Sequence, residues 1–111
     1  NKVPKPKDEI KIEDLAIHIY PDRFRVRADI KVTAFQERPN LFLVMKDANG
    51  NVVNDLNIIA TMHYEMDFTM HMRGMDDPAG NYTLEAELFY ETRNPPQDKA
   101  RIIFTIPEAD A

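Results

Sequence analysis

The chain of 111 residues carries a net charge of −5, is 43% hydrophobic and 30% charged, and contains no cysteine, serine or tryptophan. Size and apolar fraction suit one domain with a single core, while the acidic balance disfavours nucleic acid and anionic lipid, which need a basic surface. Disulfides, Cys-based metal sites and serine or cysteine triads are excluded, and three glycines are too few for a phosphate-cradling loop.

Residues 1–8 (NKVPKPKD) combine prolines with lysines and read as an extended, solvated lead-in. The folded domain is expected over residues 9–107, with a plain tail over 108–111. No apolar run approaches the roughly 18 residues of a membrane span. Nothing at the N-terminus has the apolar core of a signal peptide, and the start at Asn1 leaves a trimmed leader open.

Leu15, Ile17 and Ile19 alternate with polar or small residues, and Tyr20-Pro21-Asp22 turns the chain. Phe24, Val26, Ala28, Ile30, Val32 and Ala34 form the next apolar face, opposite Arg23, Arg25, Arg27, Asp29 and Lys31. Successive side chains of a strand point to opposite faces, so both segments predict half-buried strands. Arg38-Pro39-Asn40 breaks the second. Leu41 to Met45 is continuously apolar and suits a central strand, with the outward-facing set left open. Asp47-Ala48-Asn49-Gly50-Asn51 contains an Asn-Gly pair and predicts a tight hairpin. A weaker return strand runs from Val52 to Ile58 or Ile59.

Met62 to Arg73 alternates over its whole length, with Met62, Tyr64, Met66, Phe68, Met70 and Met72 on one side. His63, Glu65, Asp67, Thr69, His71 and Arg73 occupy the other. This predicts a long strand with a core face and a wet face. After the loop Gly74–Gly80, Tyr82, Leu84, Ala86, Leu88 and Tyr90 alternate with Thr83, Glu85, Glu87, Phe89 and Glu91. Arg93–Asp98 is a proline-bearing loop, and Ala100–Ile106 is the last strand.

About seven strands joined by short turns predict an all-β fold, a single immunoglobulin-like β-sandwich of antiparallel strands without a disulfide. Pro78-Ala79-Gly80-Asn81-Tyr82-Thr83-Leu84 resembles the turn into strand F of immunoglobulin-like folds, where the tyrosine hydroxyl bonds back to the loop as a tyrosine corner. From roughly Ile10 to Ile106 the chain resembles bacterial immunoglobulin-like and fibronectin type III-like accessory domains. It departs from antibody-type domains in lacking their cysteine pair and core tryptophan.

Methionine and histidine together suggest copper, thioether favouring Cu(I). The period of two opposes this on one strand: Met70 and Met72 share a face that His71 leaves, and His63 and His71 are roughly 26 Å apart at about 3.3 Å per residue. His18 is expected one intervening strand away, so the methionines are read as core. Arg23, Arg25 and Arg27 are expected to neutralise Glu65 and Asp67 across strands. Asp47, Asn49 and Asn51 lack the glycine and glutamate positions of a calcium loop. Asn81-Tyr82-Thr83 matches the N-glycosylation pattern but is explained as a turn. Asp76 and Asp77 read as turn-formers before Pro78, since no second half of a mechanism accompanies them.

The remaining signal is an apolar set facing outward on one sheet: Phe42, Val44, Phe89 and Ile103. The expectation is a soluble protein that is not an enzyme, has no catalytic, metal or cofactor residues, and docks a protein partner or second subunit through that face. The alternative is a copper-binding or carrier domain. Compartment and partner identity are left open.

Overall fold

The computed structural model describes Val3 to Asp110. Asn1 and Lys2 of the expected lead-in and Ala111 of the tail lie outside the described residues. Seven strands follow a 3-10 turn over Lys7–Glu9: β1 (Ile12–Ile19), β2 (Arg25–Val32), β3 (Asn40–Asp47), β4 (Val52–Ile58), β5 (Glu65–His71), β6 (Gly80–Phe89) and β7 (Asp98–Ile106). All pairings are antiparallel, in sheets ordered β1-β2-β5 and β4-β3-β6-β7. This is the expected immunoglobulin-like sandwich, with the fourth strand kept beside β3.

The alternating segments bury the faces their period assigns. Val26, Ala28, Ile30 and Val32 from β2 meet Leu41, Leu43 and Met45 from β3 and Leu84, Ala86 and Leu88 from β6, each at most 2% exposed. Leu41–Met45 thus turns Phe42 and Val44 outward. The apolar run alone did not decide this. The register with β6 fixes it, since Leu41, Leu43 and Met45 stand opposite the buried Leu88, Ala86 and Leu84.

The strand expected over Met62–Arg73 is shorter. β5 pairs only from Glu65, opposite Lys31, to His71, opposite Arg25, the first residue of β2. Single bonds extend the match: Val32 N donates to Tyr64 O and Met72 N to Phe24 O, each at 2.8 Å. Met72 is therefore buried, but Met62 is 63% exposed. Before Tyr64 the chain turns through Ala60 at φ +51°, and Thr61 N is fixed to Pro39 O.

Part of the N-terminal stretch is held to the sandwich. Lys5 bridges Phe35 in parallel, with Lys5 N to Ala34 O at 2.8 Å and Gln36 N to Lys5 O at 3.0 Å. Ile10 is buried, and Gln97 Nε2 donates to the carbonyls of Lys7 and Ile10. At this end of the sandwich the Tyr90 hydroxyl donates to Glu37 O at 2.9 Å. Burial first, and the Glu37 charge second, push the phenol up from 10.0 to about 12. A folded pKa above the unfolded one contributes stability below pH 10 that is lost as pH rises through about 12. An alkaline ultraviolet titration is expected to show late-ionising tyrosine absorbance coupled to unfolding, Tyr82 being raised as well, and Tyr90→Phe to reduce its amplitude by one tyrosine.

The Asp47–Asn51 hairpin forms as expected. Asp47 Oδ1 accepts from Asn49 N and Asn51 N at 2.9 Å each, and Gly50 takes φ +85°. These bonds use the side-chain oxygen as the turn's organiser. Asp47→Ala is expected to cost about 1 kcal/mol, measured by urea unfolding.

Candidate docking face

The outer face of β4-β3-β6-β7 carries every residue of the expected interface. Phe42 and Val44 alternate with the buried residues of β3, and opposite them on β6 stand Glu87 and Glu85. Those acids in turn face Lys99 and Arg101 of β7. Phe89, two residues beyond Glu87, faces outward diagonal to Phe42, so Phe42, Val44 and Phe89 gather at one side of the face. Ile103 stands apart from them, opposite Thr83 and 63% exposed.

The gathered group is not a bare apolar patch. The Arg93 guanidinium lies 3.9 Å over the Phe42 ring and its Nε bonds Glu87 at 2.8 Å. Such a cation over a ring is attracted by the ring's negative face. Lys46 holds Glu85 at 3.1 Å. Phe42, Val44 and Phe89 are half-buried. Sequence reading missed Arg93, whose covering position depends on the path of the loop after β6. It also missed Val52, which is 56% exposed opposite Lys46; the shift of register at Met45/Lys46 hides its direction.

The opposite face, on β1-β2-β5, is a lattice of charges. Asp29 takes both Arg27, bidentate at 2.9 and 3.1 Å, and His18 Nε2 at 2.9 Å. The bonded Arg27 guanidinium holds the Asp29 carboxyl below the usual carboxylate range, with His18 adding to it. Asp29 also stands directly opposite Asp67, a like-charge pair that Arg27 offsets. The expected cross-strand neutralisation by the arginines is therefore corrected. Arg25 bonds Asp22 within its own hairpin and stacks on Tyr20. Arg23 lies outside β2 at φ +67°, where its guanidinium reaches Pro107 O at 2.9 Å and Asp77 at 3.5 Å. Between β2 and β5, Lys31 pairs with Glu65 at 3.9 Å.

His18 is separated from β5 by β2, His71 lies on the outer side of β5, and His63 precedes the strand. Among the described residues no three His, Cys, Asp or Glu side chains converge as a metal site, and no helix is long and apolar enough to cross a membrane.

Two antiparallel sheets, a 3-plus-4 strand division and a tyrosine corner, in which the Tyr82 hydroxyl donates to Pro78 O, define an immunoglobulin-like β-sandwich. No family model and no curated protein matches the sequence. Solved structures do share the fold. A β-glucuronidase from Bifidobacterium dentium matches over 87% of this chain and 18% of its own, at 23% identity and TM-score 0.57. A β-glucuronidase from Ruminococcus gnavus matches over 88% and 16%, at 16% identity and TM-score 0.55. A glycosyl hydrolase family 2 member from Bacteroides cellulosilyticus matches over 87% and 15%, at 10% identity and TM-score 0.55. The chain thus spans less than one-fifth of the proteins it is similar to. The expectation that the protein is not an enzyme is corrected by this finding. It rested on the absence of a catalytic constellation in these residues, whereas the solved structures named above are glycosidases in which the matching sandwich is a small part.

Proposed function

We propose that this chain is an immunoglobulin-like module of a multi-domain protein built in the manner of the family 2 glycosidases, and that the outer face of β4-β3-β6-β7 seats an adjoining domain. The observation that carries the reading is the proportion of the structural match. The match takes in 87–88% of this chain and only 15–18% of a glycosidase chain. The composition of the face supports the docking role. Interfaces between domains of one chain are mixed in polarity rather than uniformly apolar, and here Phe42, Val44, Phe89 and Ile103 alternate with Glu85, Glu87, Lys99 and Arg101.

The test is an assay of the full-length gene product on an aryl β-D-glucuronide, together with amide hydrogen exchange of the sandwich inside that product and alone. Hydrolysis, with Phe42, Val44, Phe89 and Ile103 better protected in the full-length product, is expected. A gene product that consists of this sandwich by itself and leaves the substrate intact overturns the proposal.

A further inference from the structure

The two faces of the sandwich differ in how their cations are satisfied. On the outer face of β1-β2-β5, Arg25, Arg27 and Lys31 each hold an acid: Asp22, Asp29 and Glu65 respectively. On the outer face of β4-β3-β6-β7, Lys46 holds Glu85 and Arg93 holds Glu87. Those two acids stand opposite Arg101 and Lys99 of β7, yet both are drawn toward β3 instead. Among the described residues, the side chains of Lys99 and Arg101 are left with no ion pair and no hydrogen bond.

Both cations are exposed and lie two residues apart on one side of β7, so roughly 7 Å separates their Cβ atoms. They stand together in a chain of net charge −5. With Glu85 and Glu87 they line a depression of about 370 Å³ over Ala86 and Ala100. Ile103, the next residue on that side, is 63% exposed. The backbone edge of β7 is not on offer, because β1 and its turn into β2 lie alongside it. Ile12 N donates to Asp98 Oδ2 at 2.8 Å at one end, and Arg23 to Pro107 O at 2.9 Å at the other. The outward row Lys99, Arg101 and Ile103 is what this strand presents.

We propose that Lys99 and Arg101 determine what the outer face accepts, and that the adjoining domain meets them with a pair of carboxylates and covers Ile103 with apolar surface. The inference rests on the docking reading above and names the chemistry of its occupant. Seating a domain on this face takes both cations out of water, and a desolvated charge without a counter-ion is strongly unfavourable. Glu85 and Glu87 cannot serve without giving up Lys46 and Arg93, which would leave those cations unpaired in turn. The missing negative charges therefore come from the occupant. Arg101 offers a planar fork to one carboxylate, and Lys99 a point charge to another. Charges on an outer strand also discourage stray strand pairing. Glutamates serve that purpose equally, so reversing the charge separates the two roles.

Two measurements on the full-length gene product test this. A zero-length carbodiimide joins an amine to a carboxylate in contact with it, and is expected to couple Lys99 to an Asp or Glu outside residues 1–111. Lys99→Glu combined with Arg101→Glu is expected to speed exchange of the face amides at least about tenfold, to the level of the 111-residue chain alone. Lys99→Arg combined with Arg101→Lys is expected to keep them protected. Both side chains are exposed, so circular dichroism and melting of the chain alone should report an unchanged fold for both double variants. If Lys99 couples to no carboxylate outside the sandwich, or face protection survives the charge reversal, this inference is overturned and the docking reading stands. A wild-type product whose face is no better protected than the chain alone overturns both.

Discussion

Met70→Ala is expected to destabilise the sandwich by about 2–5 kcal/mol, whereas Met62→Ala should change stability by less than about 0.5 kcal/mol. Both residues fall on the same side of one alternating run, and they differ in what covers them. Met70 is 2% exposed, sits opposite Val26 in the β2–β5 pairing, and belongs to the core cluster with Leu41, Leu43 and Leu84. Truncation there removes apolar surface from a close-packed interior and leaves a cavity that neighbours fill only in part. Met62 is 63% exposed, before the first residue of β5. Urea unfolding reads both as shifts of midpoint at constant slope. A cost above about 1.5 kcal/mol for Met62→Ala would mean that the strand extends as far as its alternation does.

That pair of residues also marks where the sequence stops being legible. Alternation in β2 and β6, the Asn-Gly hairpin and the Gly80–Tyr82 turn are local signals, and each has its expected structure. The length of β5 is not local. It is set by where the pairing with β2 ends and the chain turns away at Ala60, so a period of two continued past the last partner without forming strand. The same holds for Leu41–Met45, which is apolar on both sides and acquires an inside only through its register with the buried residues of β6. On the candidate face, Phe89 and Ile103 could be placed outward by parity, whereas the outward turn of Phe42 and Val44 could not. The Arg93 guanidinium over Phe42 could not, because it arrives from the loop that follows β6. Arg23 reads as the first member of an arginine stripe, yet its positive φ turns it away to Asp77 and Pro107. The glycosidase connection leaves no trace in the residue pattern, since a fold scaffold constrains packing and leaves chemistry to groups placed on it.

Tyr82→Phe is expected to cost about 1–3 kcal/mol, because it strips a buried acceptor of its donor rather than removing a solvated bond. The Tyr82 hydroxyl donates to Pro78 O at 2.6 Å, with Met75 Sδ at 3.5 Å. Tyr82 is 5% exposed and Pro78 is fully buried, so water cannot replace the lost bond without disturbing the loop. Burial, with the Asp47 and Asp77 charges behind it, raises the phenol pKa, which keeps the hydroxyl protonated as the donor this contact needs. The stacking of the ring on Phe104, centroids 5.6 Å apart, survives in phenylalanine, so the loss isolates the hydroxyl. Gly80 contributes separately. Its φ of +142° is a backbone conformation that a Cβ disfavours, and Gly80→Ala should cost on the order of 1–3 kcal/mol in strain. Both substitutions loosen one turn, so the double variant should lose less than the sum of the two. The turn leads into β6, the strand that carries Glu85, Glu87 and Phe89 of the candidate face and pairs with both β3 and β7. Additive losses would show instead that the hydroxyl and the glycine act on separate parts of the loop.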